Sequence, residues 1–326
     1  MRKELQIQNI QNKIRQYYKK CTLCPRNCGV DRTAGKTGAC GMTDTLVVAR
    51  AAKHMWEEPC ISGTKGSGAV FFGGCNLKCM FCQNQKISRG QVGKEIDAVR
   101  LAEIFLELQE QDVNNINLVT GTHFQPHIIE ALGLAKEQGL AVPIVYNCSG
   151  YESVDALKRL EGYVDVYLPD FKYMDEDMAQ SYSRAKDYPT IAQKAIAEMV
   201  RQQPLAVFAL ESGKSKRLSL EAKEGYVMKK GVLVRQLLLP GGLEDAKKIV
   251  GYLHEYYGNQ IYISMMSQYT VMKEVKNHPV LGKNVSKEEY EAYLNYAQDI
   301  GVTHGFFQEG GVNLESFIPE FDCYGV

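Results

Sequence analysis

Short apolar segments alternate with amphipathic segments along most of the sequence from residue 69 onward. The apolar segments are rich in β-branched and aromatic residues and end at Gly, Pro, Asn, Asp or Ser; they read AVFFGG, INLVTG, VPIVYN, VDVYLPD, VLVRQLLLPGG and IYISMMS. The segments between them, such as HIIEALGLAKEQ, repeat apolar residues at helical spacing. Apolar strands that alternate with amphipathic helices are typical of a parallel sheet buried on both faces. Six such units predict an α/β barrel, either open or closed.

Composition and charge narrow the classes of function. The 326 residues include 38 basic and 38 acidic side chains, which are interspersed, so we expect no nucleic acid as a partner. The amino-terminal segment MRKELQIQNIQNKIRQYYKK is charged throughout, and the apolar runs are far shorter than the ~20 residues of a membrane span. We therefore expect a cytoplasmic protein with no membrane partner. Ten cysteines in a reducing compartment are more typical of metal ligands or reactive thiols than of disulfides.

Three cysteines, Cys75, Cys79 and Cys82, lie within the stretch GGCNLKCMFCQN. The stretch follows the predicted strand AVFFGG, so we expect the thiols at the carboxyl edge of the sheet, where parallel barrels carry their chemistry. Thiolates are soft ligands that suit iron–sulfur clusters, and such a cluster normally takes four protein ligands. Three ligands to a four-iron cluster would leave one iron open to a substrate or cofactor. The alternatives are a zinc site with a remote fourth ligand and a chance grouping of cysteines.

The three cysteines, with Phe81 just before the last of them, resemble the CxxxCxxC motif of the radical S-adenosylmethionine (SAM) superfamily. The resemblance implies a (β/α)6 partial TIM barrel and a [4Fe-4S] cluster held by Cys75, Cys79 and Cys82 as the catalytic ligands. It also implies that the open iron binds the amino and carboxylate groups of SAM. One electron from the cluster then cleaves SAM to methionine and a 5′-deoxyadenosyl radical, which abstracts hydrogen from the substrate.

Segments that end later strands extend the resemblance. VDVYLPDFKYMD resembles the Asp-x-Lys element of pyruvate formate-lyase activating enzymes, and VLVRQLLLPGG resembles their strand with an Arg near the SAM carboxylate. NLVTGTHFQP stands in place of the superfamily's Gly-Gly-Glu-Pro turn and departs from it at Thr122 and His123. An Arg inside a buried strand is costly unless an anion pairs with it, which favours a site there. The resemblance assigns SAM binding to Phe81, Thr120, Gly121, Thr122, Asn147, Ser149, Asp170, Lys172, Arg235 and Gln268.

Four further cysteines, Cys21, Cys24, Cys28 and Cys40, precede the predicted barrel. Four thiolates make a closed site, which would hold either a zinc ion or an auxiliary iron–sulfur cluster. Free thiols are the remaining alternative. The segment is short and rich in glycine, so we expect a metal to supply much of its folding energy.

Two boundaries organise the predicted chain. Residues 1–62 are predicted to form an amino-terminal helix and a Cys-rich metal-binding extension, and residues 63–326 the barrel. Residues 209–231 form a mixed-charge insertion within the barrel. We interpret the insertion either as a surface excursion or as a lid or partner-binding loop.

Segments along nearly the whole chain, CTLCPRNCGVDR, EEPCISG, CQN and MMSQY, resemble a branch of proteins related to the pyruvate formate-lyase activating enzymes. The resemblance implies a radical SAM oxidoreductase that takes hydrogen from a glycine of a protein or peptide, such as a glycyl radical enzyme. It also implies an electron donor such as flavodoxin or ferredoxin. The alternatives are a radical SAM enzyme that modifies a small molecule or a peptide, and a zinc or iron–sulfur scaffold without catalysis.

Overall fold

The computed structural model of the chain describes residues 12, 14–211, 218, 219, 221–307 and 319–326. The strands in these ranges are β1 (Leu46–His54), β2 (Ser67–Phe72), β3 (Lys94–Ile96), β4 (Ile116–Val119), β5 (Ile144–Cys148), β6 (Val166–Pro169), β7 (Val207–Leu210), β8 (Leu218–Ser219), β9 (Tyr226–Leu237), β10 (Tyr262–Met266) and β11 (Gly305–Phe307). The α-helices are α1 (Pro59–Ser62), α2 (Gln85–Ser88), α3 (Ala98–Glu110), α4 (Gln125–Glu137), α5 (Val154–Arg159), α6 (Glu176–Ser183), α7 (Tyr188–Gln202), α8 (Leu243–Tyr257) and α9 (Lys287–Asp299).

Six parallel strands form the barrel, in the spatial order β2, β4, β5, β6, β9 and β10. The short strand β11 adds to β10 in the same direction. Every residue of β2, β4, β5 and β6 is buried, as expected of parallel strands covered on both faces. The strand order is linear within the described ranges, so the barrel is open. The predicted α/β fold with a (β/α)6 partial barrel is confirmed.

The connections between the barrel strands are the predicted amphipathic helices. α4 lies between β4 and β5, and α8 lies between β9 and β10. The last long helix, α9, begins with a capping box in which Ser286 and Glu289 each bond the other's backbone amide. Reciprocal bonds of this kind satisfy amide groups that the helix itself leaves unpaired.

The segment between β1 and β2 closes one end of the barrel. β1 is antiparallel to β2, and His54 pairs with Ser67 at the amino end of β2. The intervening helix α1 places Ile61 in a buried cluster with Val145 and Leu233, which lie inside the barrel. We call this closed amino end, formed by residues 55–66, the floor. The open carboxyl end of the barrel strands is the mouth.

The predicted insertion, residues 209–231, is partly built into the sheet. β7 pairs antiparallel with both β8 and β9, and Phe208 and Met228 join the buried cluster at the floor. Residues 212–217 and 220 lie outside the described residues. The insertion's role as a surface excursion or lid stays a prediction, as does the domain boundary after residue 62.

The carboxyl-terminal residues 319–326 lie along strand β1. The amide of Ala51 in β1 donates to the carbonyl of Tyr324 at 2.9 Å, and the amide of Cys323 donates to the carbonyl of Ala49 at 3.0 Å.

Within the described ranges, the helices are all too short or too polar to cross a membrane.

Candidate active site at the mouth of the barrel

The three predicted cluster cysteines lie on the loop that follows β2. Gly74 starts this loop with a φ of 80°, and a Cβ there would lie 2.3 Å from Cγ of Met42, so only glycine fits. The sulfur of Cys75 accepts hydrogen bonds from the amides of Leu77 and Lys78 at 3.4 and 3.5 Å. Amide donors aimed at a sulfur favour the thiolate form, which is the form that binds metal.

The three thiols are close enough to affect one another's ionisation. Burial, together with the neighbouring Cys79, raises the pKa of Cys75 to about 12. Burial and Cys79 also raise the pKa of Cys82, while Lys172 opposes the shift. Neighbouring thiolates at this position would need cationic compensation, which a bound metal would supply. In the described part of the chain, no three His, Cys, Asp or Glu side chains are grouped closely enough to hold a single metal ion.

Three predicted site residues form a chain of ion pairs beside the cluster loop. Nζ of Lys172 donates to Oδ2 of Asp170 at 2.6 Å, and Nε of Arg235 donates to Oδ1 of Asp170 at 2.9 Å. Burial would raise the pKa of Asp170, but Arg235 and Lys172 outweigh it and hold that pKa below its usual range. The side chains of Asp170 and Lys172 keep 21% and 18% exposure, so a ligand at the mouth can reach them.

Lys172 connects these ion pairs electrostatically to the cluster loop. Burial would lower the pKa of Lys172, but Asp170 and Cys79 outweigh it, so the pKa is raised above its ordinary value. The side chain is therefore a cation at neutral pH. It donates to Asp170 and lies within electrostatic range of Cys79 and Cys82.

An acidic residue that sequence reasoning missed, Glu57, reaches into the barrel from the floor. Its Oε1 accepts from Nη1 of Arg235 at 2.9 Å. Its Oε2 accepts from the side-chain amides of Asn117 and Asn147, each at 2.9 Å. Glu57 thus links β4, β5 and β9 from below and fixes one end of the Arg235 guanidinium.

A second missed acid, Glu58, lies beside Glu57. It is 6% exposed, and its Oε2 accepts from Oγ of Ser264 at 2.9 Å. Burial raises its pKa to about 7, although Arg235 opposes the shift. The two acids are visible in the sequence as the EEP of EEPCISG, but no local spacing indicates that they enter the barrel.

Two predicted SAM contacts, Arg235 and Asn147, are already engaged with protein groups. Each nitrogen of Arg235 donates to a protein acceptor: Nε to Asp170, Nη1 to Glu57, and Nη2 to Oδ1 of Asn147 at 2.6 Å. The side-chain amide of Asn147 donates in turn to Glu57. Both residues therefore lie inside the barrel, within the network anchored at the floor.

The predicted turn of Thr120, Gly121 and Thr122 follows β4 at the mouth. Thr120 adopts a φ of 61°, which β-branched residues rarely do, so the backbone is strained there. Oγ1 of Thr122 donates to Oε1 of Glu152 at 2.6 Å. Burial raises the pKa of Glu152 to about 8, which makes it a third buried acid that sequence reasoning missed.

Phe81, Gln268 and Ser149 lie around the mouth in different surroundings. Phe81 is 6% exposed and packs against the rings of Tyr173, Tyr182 and Tyr269. The carbonyl of Gln268 accepts from Nε2 of Gln83 on the cluster loop at 3.3 Å. Ser149 is half-buried, and its Oγ accepts from the amide of Tyr151 at 3.4 Å. The SAM contacts assigned to these residues stay predictions.

The second cysteine group lies against the cluster loop. Cys21, Cys24 and Cys40 are buried and Cys28 is half-buried. The amide of Cys75 donates to the carbonyl of Cys40 at 3.3 Å. The two predicted metal-binding regions are therefore in direct backbone contact.

Comparisons relate parts of the chain to known proteins. Residues 69–202 match the radical SAM superfamily. An uncharacterized protein of Methanocaldococcus jannaschii is 26% identical over 289 residues, which cover 86% of this chain and 75% of that protein. The pyruvate formate-lyase-activating enzyme of Clostridium pasteurianum is 30% identical over 113 residues, which cover 33% of this chain and 46% of that enzyme. The crystal structure of a radical SAM methyltransferase from Sphaerobacter thermophilus superposes with a TM-score of 0.47 at 14% identity, covering 74% of this chain and 67% of that one.

Proposed function

Because residues 69–202 match the radical SAM superfamily, we propose that Cys75, Cys79 and Cys82 hold a [4Fe-4S] cluster at which SAM binds. When bound, the cluster and SAM supply a 5′-deoxyadenosyl radical for hydrogen abstraction. The observation that carries the proposal is the position of the three cysteines on the loop after β2 at the barrel mouth, with the ion pair of Lys172 and Asp170 within electrostatic range of them. Soft, largely buried thiols next to a partly exposed ion pair suit an anionic cluster and a zwitterionic cofactor together.

In this proposal, some residues at the mouth contact SAM and others hold those residues in position. Asp170 and Lys172 offer one anion and one cation to the polar groups of SAM, since both remain partly exposed. Arg235 acts through Asp170, because all three of its nitrogens already donate to protein acceptors. Glu57 fixes Arg235 from the floor. The strained turn at Thr120 supplies backbone groups at the same edge.

Anaerobic turnover tests this proposal. The reconstituted chain, reduced with dithionite and given SAM, should release methionine and 5′-deoxyadenosine, both measured by liquid chromatography. The Cys79→Ala variant should release neither. A matched control is Cys60→Ala, which removes a buried thiol at the floor and should leave cleavage intact. Full iron loading without any SAM cleavage in the wild type would support the scaffold alternative instead.

For the substrate, we propose a glycine of a protein or peptide, with the chain acting as an activase. The similarity to the pyruvate formate-lyase-activating enzyme of Clostridium pasteurianum supports this choice, over the third of this chain that it covers. Flavodoxin or ferredoxin would then replace dithionite as the one-electron donor.

A probe reaction separates the activase from its alternative. The chain, SAM and reductant are mixed with purified pyruvate formate-lyase, and electron paramagnetic resonance (EPR) is recorded. A glycyl radical signal that depends on Cys79 would support the activase. SAM cleavage without that signal, accompanied by a labelled small-molecule or peptide product, would instead favour a radical SAM enzyme that modifies a small molecule or a peptide.

A further inference from the structure

Two glycine turns carry the four amino-terminal cysteines. In the first turn, the amide of Cys21 donates to the carbonyl of Val30, and the amide of Gly29 donates back to the carbonyl of Cys21, both at 3.0 Å. In the second, the amide of Gly41 donates to the carbonyl of Gly38 at 2.9 Å. Gly29 and Gly41 have φ values of 63° and 86°, a backbone conformation that glycine adopts without strain. The turns fix the backbone on either side of the cysteines.

The four thiols, which we call the donor set, lie near one another. A Cβ added at Gly38 would lie 3.2 Å from the sulfur of Cys28 and 3.6 Å from the sulfur of Cys40, so both sulfurs flank the bare glycine. Burial raises the pKa of Cys24 to about 12, and Cys40 and Cys21 add to the shift. Burial likewise raises the pKa of Cys40, with smaller contributions from Cys21 and Cys28. Each thiol therefore lies within electrostatic range of others in the group.

A fully buried cation, Arg32, lies beside this donor set. Its Nη1 donates to the carbonyl of His123 at 3.0 Å and to the sulfur of Cys21 at 3.8 Å. Its Nε donates to the carbonyl of Thr43 at 2.9 Å, and its guanidinium lies 4.5 Å from the centre of the Tyr18 ring. The guanidinium thus contacts one sulfur of the group directly. Because a buried guanidinium without an anion is costly, a metal-bound thiolate at this position would give Arg32 an anionic partner.

The donor set is held rigidly against the cluster loop. Besides the bond between the amide of Cys75 and the carbonyl of Cys40, Arg26 bridges the two regions. Its Nε donates to the carbonyl of Asn76 at 2.8 Å, and its Nη2 donates to the carbonyl of Ser183 at 2.9 Å. The extension is thus fixed to the mouth of the barrel by several bonds.

We propose that Cys21, Cys24, Cys28 and Cys40 hold a second iron–sulfur cluster, with Arg32 as its buried counter-cation. A zinc ion would draw four sulfurs to about 2.3 Å from one point, and no three side chains of the described residues converge in that way. A four-iron cluster places each thiolate on its own iron, so the sulfurs lie further apart. This inference goes beyond the proposed function and does not depend on SAM cleavage.

A metal count on the full-length chain, reconstituted without oxygen, tests the inference. The wild type should bind on the order of eight irons, four for each cluster. The triple variant Cys75→Ala, Cys79→Ala and Cys82→Ala should keep about four irons and give a cluster EPR signal on reduction. The double variant Cys24→Ala and Cys28→Ala should keep about four irons at the mouth. Zinc in place of iron in the triple variant, or neither metal, would overturn the proposal.

Two controls keep this result separate from the proposed function. Cys60→Ala removes a buried thiol outside both groups and should bind as much iron as the wild type. The Cys24 and Cys28 double variant keeps only the cluster at the mouth. If SAM leaves the EPR signal of this variant unchanged, SAM does not bind that cluster and the proposed function fails, whereas the inference of a second cluster is unaffected.

The role of Arg32 has its own readout. In the triple variant, Arg32→Gln should lower the reduction potential of the remaining cluster, because the neighbouring positive charge is lost. Arg32→Lys should preserve most of that potential. Equal potentials in the glutamine and arginine forms would show that Arg32 is not the counter-cation.

Discussion

The mouth and the floor of the barrel hold the same kinds of charged groups but expose them differently. At the mouth, the side chains of Asp170 and Lys172 keep 21% and 18% exposure. Toward the floor, the side chain of Glu57 keeps 11%, and Glu58 is only 6% exposed. Arg235 joins the two regions, since it donates to both Asp170 and Glu57. The mouth can exchange partners with a ligand, whereas the floor cannot do so without opening the core.

The charge balance explains how the two regions coexist. Glu57 and Asp170 offset Arg235 and Lys172, so these four side chains carry no net charge. Glu58 would add an unbalanced negative charge, and burial raises its pKa to about 7. The difference in exposure between the two regions indicates that the floor positions Arg235, while the charged groups at the mouth remain accessible to a ligand.

Removing the shared cation should have the largest effect on stability. Arg235→Met leaves Glu57 and Asp170 inside the barrel without their common partner, which should lower the free energy of unfolding by about 3–5 kcal/mol. Urea denaturation at pH 7.5 measures the change. Arg235→Lys keeps the charge but cannot reach three acceptors, so it should recover only part of the loss. A change below about 1 kcal/mol for Arg235→Met, the range of a surface ion pair, would show that this cation does not hold the two regions together.

Glu58 should make the floor sensitive to pH in a defined direction. The unfolded carboxyl ionises near 4.5 and the folded one near 7, because burial outweighs Arg235 and the hydrogen bond from Ser264, while Glu57 and Asp170 add to the rise. Between these values the folded chain holds a proton that the unfolded chain lacks. Stability contributed by this group is therefore present below about pH 4.5, falls by about 3 kcal/mol as pH rises to about 7, and is then constant.

The matched variant for this prediction is Glu58→Gln, which keeps an acceptor for Ser264 but cannot ionise. The difference in free energy of unfolding between variant and wild type should grow by about 3 kcal/mol in favour of the variant between pH 4.5 and pH 7. Guanidinium denaturation at several pH values measures it. A difference that does not change with pH would contradict the buried, protonated state of Glu58.

Glu57→Gln should have an intermediate effect. The variant loses one charge-assisted bond to Arg235, so we expect a loss of about 1–3 kcal/mol in the free energy of unfolding. Because Arg235 then fixes Asp170 less firmly, the affinity for SAM should also fall, measured by titration of the reconstituted chain. Glu107→Gln is the matched control, since Glu107 pairs with Arg100 with its side chain 50% exposed and should cost less than about 1 kcal/mol. An unchanged SAM affinity in Glu57→Gln would restrict Glu57 to a structural role.

The same comparison separates what the sequence could predict from what it could not. The parallel barrel was predictable because apolar strands alternating with amphipathic helices leave few other solutions. The mouth was predictable because its residues follow strand ends, as Cys75 follows β2 and Asp170 follows β6. The floor was not, because its bonds are non-local: Glu57 and Arg235 lie 178 residues apart, and Glu58 and Ser264 lie 206 apart. No local pattern encodes such a pairing.

The antiparallel strand β1 was missed for a related reason. Its sequence, LVVARAAKH, mixes apolar and charged residues without the bounded apolar run that identified the barrel strands. It is a strand because it pairs with β2 on one side and β3 on the other. Since β1 leads into residues 55–66, missing it also concealed where the two floor acids would enter the barrel.

Lys172→Met should have the smallest effect on stability and a large one on function. The variant keeps the apolar stem, and Asp170 retains Arg235 as a partner, so the free energy of unfolding should change by about 1 kcal/mol or less. SAM binding to the reconstituted chain should weaken, because the variant lacks the partly exposed cation at the mouth. Titration followed by EPR measures the binding, and urea denaturation the stability. If Lys172→Met destabilises the chain as much as Arg235→Met, the mouth is as structural as the floor, and the division between them fails.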